Sequence, residues 1–281
     1  MSVHIGRDLD DVLEHIATVP DVTILAGGTD LMVEINFGRR RPENIVAIDR
    51  VGELSGIERN GRVRMGAGMT YSRMLDDAGS PALAEAARTI GSPQIRNAGT
   101  LGGNLGTASP AGDTLPVLAA LDAAVVLRSR NGERRVPFGD YMTGPKRTVR
   151  RTDELIVAAE WDDAGTAQTY MFVSTRNAMA ISIAGLAIVV DRARKRAGIA
   201  LGSCGPTIIR ASEAERFAGG ALDEAGWERP HRPTDATAKE LGRLVAAAAR
   251  PIDDVRGTAA YRRHALAVMG ARAFGRVAGM A

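Results

Sequence analysis

Leu9, Val12, Leu13 and Ile16 recur at three- and four-residue spacing, which predicts a short amphipathic helix near the start of the chain. Val22–Leu25 is an apolar run of strand length that leads straight into Ala26-Gly27-Gly28-Thr29-Asp30, with Leu31–Asn36 continuing as a helix. Asn44–Asp49 and Arg62–Met65 read as strands. Ser80-Pro81 sets an N-cap before a proline at the first helical position, so a helix runs through about Ile90. Leu115–Leu121 reads as a helix, and Ala123–Leu127 and Glu154–Trp161 as strands. Further on, strands are expected near Ile181–Val190 and Ala197–Gly202. Helices are expected near Arg210–Ala218, Thr234–Ala249 and Thr258–Phe274, the last two with Thr234 and Thr258 as N-caps. The order is α+β, without regular βαβ alternation and without internal repeats.

One stretch breaks the pattern. Gly91–Asp113 contains Gly91, Gly99, Gly102, Gly103, Gly106 and Gly112 among polar residues and lacks the periodicity of a helix or strand. It reads as a long loop, and a loop of that length inside a compact domain is usually functional. Pro137–Thr152 is polar and turn-rich.

The chain has 281 residues, more than a usual single domain. The short polar stretch Asp162–Gln168, containing Gly165, marks a domain boundary. The basic residues are nearly all arginine; only Lys146, Lys195 and Lys239 are lysines. The net charge of +3 and an aromatic content of 4% argue against nucleic-acid binding. Cys204 is the single cysteine, which excludes an internal disulfide, a cysteine-ligated iron–sulfur cluster and a cysteine-built structural zinc site within this chain. With no run of 18 apolar residues and no signal-peptide core, the expected location is cytoplasmic.

Two glycine-rich segments carry the candidate chemistry. Glycine lets the backbone approach a ligand closely, and consecutive N–H groups can form an anion-binding nest. In Leu25–Leu31, Thr29 can donate to a phosphate oxygen, whereas Asp30 would repel one and is expected to cap or brace the turn. In Arg96–Asp113, the side chains of Thr100, Asn104, Thr107, Ser109 and Asp113 can meet a diphosphate, a ribityl chain or a heteroaromatic edge; Asp113 could equally cap the following helix. Neither segment has the Rossmann or P-loop glycine spacing. The residues therefore suggest a diphosphate-containing ligand held by two loops.

These segments resemble a known family. "LAGGTDL" at Leu25–Leu31 and "TLGGNLGTASPAGDTLP" at Thr100–Pro116, about 70 residues apart, resemble the two FAD-binding segments of the flavin subunits of xanthine and carbon monoxide dehydrogenases. Gly144–Ile156 resembles the end of that family's flavin domain, and Ala200–Arg210 and Pro251–Leu266 resemble its C-terminal domain. The resemblance implies a two-subdomain FAD-binding fold of the vanillyl-alcohol oxidase type over residues 1–163, divided near residue 52. It implies a C-terminal domain of a small antiparallel sheet plus helices over residues 168–281. By position, Leu25, Ala26, Gly27, Gly28, Thr29, Asp30 and Leu31 match the first diphosphate turn, and Thr100, Gly102, Gly103 and Asn104 the second. Thr107, Ser109 and Asp113 match the stretch beside the flavin, Ile156 an apolar position packing near its ring, and Arg176 a cofactor-binding arginine. The family often carries a lysine four residues before that arginine, where this chain has Phe172. The form "GGTDL" is closer to purine and N-heterocycle hydroxylases than to the carbon monoxide branch.

The family's activity implies an FAD-carrying subunit of a molybdenum hydroxylase. It would take electrons from a [2Fe–2S] subunit and pass them to NAD⁺ or another acceptor, with the molybdenum cofactor on a large partner subunit, in a dimer of heterotrimers. The cofactor carries the chemistry, so no protein acid, base or nucleophile is assigned. A stand-alone FAD oxidoreductase would need a larger substrate domain than follows residue 168, and often a His or Cys flavin tether, absent from both glycine segments. A non-catalytic nucleotide-binding module remains a further alternative. His4, His15, His231 and His264 show no metal-ligand spacing. Arg39–Arg41 and Arg147–Arg151 read as solvated or subunit-facing runs, with help in docking the acidic diphosphate of NAD⁺ as the alternative, Cys204 as buried and inert, and Met171 and Met179 as core.

Overall fold

The structure, a computed structural model, describes residues 1–177 and 179–280. It begins with β1 (Ser2–Ile5), α1 (Leu9–Thr18), β2 (Val22–Leu25), α2 (Leu31–Asn36) and β3 (Asn44–Ala47). The three strands form a parallel sheet ordered β1-β3-β2. Asp8 caps α1 by accepting from the Asp11 N–H, and the apolar stripe Leu9, Val12, Leu13 and Ile16 is buried, as its spacing predicts. That stripe packs on Val46 and Ile48 and on Val126, Leu155 and Val157 of the next sheet.

The middle of the chain contributes β4 (Ile57–Arg59), β5 (Arg62–Gly66), α3 (Tyr71–Asp76), α4 (Pro81–Thr89), α5 (Pro93–Ala98), α6 (Leu101–Thr107) and α7 (Thr114–Ala120). It continues with β6 (Ala124–Ser129), β7 (Gly132–Pro137), α8 (Phe138–Tyr141), β8 (Met142–Gly144), β9 (Arg147–Thr148) and β10 (Leu155–Asp162). A five-stranded sheet runs β4-β5-β10-β6-β7, and β8 and β9 form a separate hairpin. The largest core lies against it. Met65, Met69, Leu101, Leu105, Leu115, Leu118, Tyr141 and Trp161 are all fully buried there. Each large apolar side chain so buried contributes roughly 1.5–3 kcal/mol.

The last part holds β11 (Gln168–Val173), β12 (Ala184–Asp191), β13 (Arg196–Gly202), β14 (Ile209–Arg210), α9 (Ser212–Ala225), α10 (Asp235–Ala248) and α11 (Ala259–Ala278). The strands form one antiparallel sheet in sequence order. Thr234 and Thr258 cap α10 and α11, accepting from the Thr237 and Tyr261 N–H groups as expected. Between this sheet and the middle of the chain the backbones nearly touch: a Cβ on Gly198 would sit 2.0 Å from the Ala120 carbonyl oxygen, and one on Gly202 2.7 Å from Pro116 Cγ. Glu85 of α4 adds polar ties, accepting from the Thr169 hydroxyl (2.9 Å), the Tyr170 N–H (2.8 Å) and Arg276 (2.6 Å).

Several sequence expectations need correction. The supposed loop Gly91–Asp113 contains α5 and α6, each opened by a hydroxyl cap, Ser92 and Thr100. Three glycines in α6, Gly102, Gly103 and Gly106, mask the helical periodicity there, because glycine scores poorly as a helix former even where packing imposes a helix. β11 is a full six-residue strand beside which β12 pairs along its length, although its polar start hid it. Met179 is 51% exposed rather than core. Arg150 turns inward and donates to the carbonyl oxygens of Arg151 and Glu154 (3.0 and 2.6 Å), so that run is not wholly solvated.

Candidate functional site

β2 delivers the chain to the first glycine turn, where Gly28 adopts φ +71°, a conformation that suits glycine. The N–H groups of Met32 and Val33 begin α2 by donating to the Gly28 and Asp30 carbonyls (3.0 and 3.1 Å). Ahead of them, the main-chain N–H groups of Gly27, Gly28, Thr29, Asp30 and Leu31 have no acceptor among the described residues. Unpaired amides are costly unless water or a ligand takes them. Such a run of consecutive donors is the chemistry of an anion nest. The turn is half-buried, with part of its backbone open to solvent.

Gly27 shows where the second segment lies. A Cβ there would fall 1.6 Å from the Ala98 carbonyl oxygen and 3.1 Å from the Gly99 nitrogen. The end of α5 thus rests directly on the first turn. Thr107, at the end of α6, donates its hydroxyl to Asp30 Oδ2 at 3.1 Å. Asp30 makes no cap bond to α2; it braces the turn from the other segment. The β8–β9 hairpin closes the same side. The Lys146 N–H donates to the Ala108 carbonyl (3.1 Å), and its ammonium pairs with Glu34 of α2 (2.9 Å), which holds the Glu34 carboxyl below its usual range.

The second segment behaves differently from the first. Its amides already have partners within the chain: Leu101 donates to Met69 (3.0 Å), Gly102 to Ala67 (2.7 Å), Gly103 to the Thr100 hydroxyl (3.0 Å) and Asn104 to the Thr100 carbonyl (3.0 Å). Gly102 is required for packing, since a Cβ would approach the Ala67 Cβ to 2.7 Å. What α6 and its C-terminal loop offer is side chains. Asn104 accepts from the Thr114 hydroxyl (2.6 Å) through its amide oxygen and lies against Gly112. The Ser109 hydroxyl accepts from the Ala111 N–H at 3.2 Å. Ala108 ends α6 in the left-handed region at φ +46°. Ile156 on β10 is buried beneath this helix, its Cδ1 3.6 Å from where a Gly106 Cβ would stand.

Asp113 precedes α7 but makes no cap bond to it. It is buried, and its Oδ1 accepts from the Tyr170 hydroxyl (2.7 Å) and the Ser182 hydroxyl (2.6 Å). Burial raises the Asp113 carboxyl above its ordinary range, while the two hydroxyls pull it back. Phe172 stacks on Tyr170, ring centroids 6.2 Å apart and planes 8° from parallel. Arg176 stands on the exposed turn after β11 and donates to the Met179 carbonyl. The sequence did not single out Lys146, Glu34, Tyr170 or Ser182, because ordinary residue types at large sequence separation give no local signal.

Comparison with known proteins gives the same picture. Residues 1–160 match the family model described as the FAD binding domain in molybdopterin dehydrogenase, and residues 168–277 that of the CO dehydrogenase flavoprotein C-terminal domain. The chain is 32% identical over 231 residues to the xanthine dehydrogenase FAD-binding subunit of Escherichia coli O157:H7, covering 77% of this chain and 78% of the relative. It is 30% identical over 253 residues to the carbon monoxide dehydrogenase medium chain of Hydrogenophaga pseudoflava, covering 86% and 84%. The solved structure of reconstituted CO dehydrogenase from Oligotropha carboxidovorans superposes with a TM-score of 0.88 at 28% identity, over all of this chain and 98% of that one. The chain belongs to the FAD-binding flavoproteins of the molybdopterin dehydrogenase family, of the xanthine and CO dehydrogenase type.

Proposed function

We propose that this chain is the FAD-carrying electron-transfer subunit of a molybdenum hydroxylase. It would work beside a large molybdenum-binding subunit and a small [2Fe–2S] subunit, as a dimer of heterotrimers in the cytoplasm. When bound, FAD supplies the redox chemistry, taking electrons from the iron–sulfur partner and passing them to NAD⁺ or another acceptor. The protein binds and orients it. Five consecutive amides without acceptors among the described residues, Gly27 to Leu31, carry this reading. They fit a diphosphate, and the second segment is pressed against them by the Gly27–Ala98 approach. The lone buried Cys204 supports placing the iron–sulfur ligands on another chain.

In this reading Leu25, Ala26, Gly27, Gly28, Thr29, Asp30 and Leu31 hold the diphosphate. Thr100, Gly102, Gly103 and Asn104 form the facing wall. Thr107, Ser109, Asp113, Ile156 and Arg176 surround the remainder of the cofactor. The FAD-binding domain spans residues 1–163, with subdomains dividing near residue 52, and residues 168–281 form the second domain. Purification of the assembly with its partners tests the proposal. A flavin absorbance near 450 nm and co-purifying molybdenum and iron–sulfur chains, identified by mass spectrometry, are expected. A colourless chain that purifies alone would favour a non-catalytic nucleotide-binding module. A yellow, active chain without partners would favour a stand-alone FAD oxidoreductase.

A further inference from the structure

A buried carboxylate needs a reason to be where it is, because removing it from water is costly unless its oxygens are satisfied. Asp113 is 8% exposed and receives no hydrogen bond from its own helix. Instead two hydroxyls from later in the chain reach it. Tyr170 lies on β11 and Ser182 just ahead of β12, 57 and 69 residues further along the chain. Both converge on Oδ1, leaving Oδ2 without a partner among the described residues.

Each donor is itself held. The Tyr170 ring is flanked by Phe172, and its hydroxyl passes over Gly185, where a Cβ would lie only 2.7 Å from that oxygen. Ser182 is fixed by its neighbour: the Ile183 N–H donates to the Val173 carbonyl (2.8 Å), and the Ile183 carbonyl accepts from the buried Arg262 (2.8 Å). The carboxylate's orientation is therefore dictated from the C-terminal sheet. Its next residue, Thr114, ties the same backbone to Asn104 (2.6 Å).

We propose that Tyr170 and Ser182 are positioning residues of the cofactor site, holding Asp113 by Oδ1 so that Oδ2 is presented as an acceptor to an N–H or O–H donor of bound FAD. The inference rests on the functional reading above and extends the site across to the C-terminal sheet. A preoriented acceptor binds better than one that must be ordered on binding, because its side-chain entropy is already lost.

The experiment measures the FAD dissociation constant and the visible circular dichroism of the flavin for the full-length protein in its assembly. It compares wild type with Tyr170→Phe, Ser182→Ala and the double variant. Each single deletion is expected to weaken FAD severalfold and the double about tenfold or more, with an altered flavin dichroism. Ser182→Thr, which restores a hydroxyl, is expected to recover the affinity. Glu215→Gln serves as the control: it disturbs ties to the Ile199 N–H and the Arg210 guanidinium in the same sheet without touching Tyr170, Ser182 or Asp113, so it should lower the melting temperature and leave FAD affinity unchanged. Wild-type affinity in the double variant overturns the proposal, as does an equal loss of affinity in Glu215→Gln. Should the double variant fail to fold, Tyr170→Phe, which keeps the ring, decides alone. A wild-type assembly that takes up no FAD would instead overturn the functional reading and this inference with it.

Discussion

The Thr107 hydroxyl donates to Asp30 Oδ2 at 3.1 Å, joining residues 77 positions apart and bracing one glycine segment against the other. The bond is near the surface, so its net worth is modest, about 1 kcal/mol or roughly fivefold in an equilibrium constant. Asp30→Ala and Thr107→Val are each expected to weaken FAD binding by about that factor. A double-mutant cycle should return a coupling of similar size. Additive losses in the cycle would show that the two side chains act separately.

Gly27 is under a harder constraint. Any side chain there collides with the Ala98 carbonyl, 1.6 Å from the added carbon, and that carbonyl is backbone and cannot swing aside. Gly27→Ala must push the two segments apart, at a cost of about 1–3 kcal/mol in folding stability. It should leave a protein that purifies without flavin. Gly106→Ala is the matched comparison, because its new methyl meets only Ile156 Cδ1 at an ordinary 3.6 Å. That variant is expected to keep its flavin absorbance. Equal flavin content in both variants would refute the argument.

How much of this was readable beforehand depended on whether the signal was local. The α1 stripe and the caps at Ser80, Thr234 and Thr258 are short-range features, and each stands where its spacing places it. The first glycine turn offers amides with no acceptor among the described residues, as its composition suggests. The second does not: Thr100 takes two of its amides from within the segment, and Ala67 and Met69, in a loop about 35 residues earlier, take two more that no motif encodes. The partners of Asp113 lie further off still. A carboxylate ahead of a helix reads as a cap, and only the packing of β11 and β12 against α7 reveals that Tyr170 and Ser182 claim it.

Cys204 offers a check on the core of the C-terminal sheet and its helices. It is fully buried, and burial pushes its thiol up to about 11. At pH 8 only about one molecule in a thousand would carry the reactive thiolate, and that one would still be enclosed. The native protein is therefore expected to resist a thiol-reactive chromophore over the time in which the denatured chain reacts with one equivalent. Prompt reaction of the native form would mean that this core opens readily.

The raised Asp113 carboxyl makes a pH-dependent demand on stability. Burial is the larger cause and the Tyr170 and Ser182 hydroxyls only partly oppose it, so the folded state favours the protonated acid more than the unfolded chain does. A group raised in this way contributes stability that is full below the ordinary carboxylate range and is lost as pH rises through its folded-state value. Asp113→Asn keeps an oxygen for the two hydroxyls and carries no charge, so it escapes that loss. Measured on flavin-free protein, the melting temperature of the variant relative to wild type is expected to climb as pH is raised from 4 toward 8. A difference that stays flat over that range would mean the Asp113 carboxylate is as well satisfied inside the protein as in water. A difference that falls would mean its two hydroxyl partners outweigh its burial.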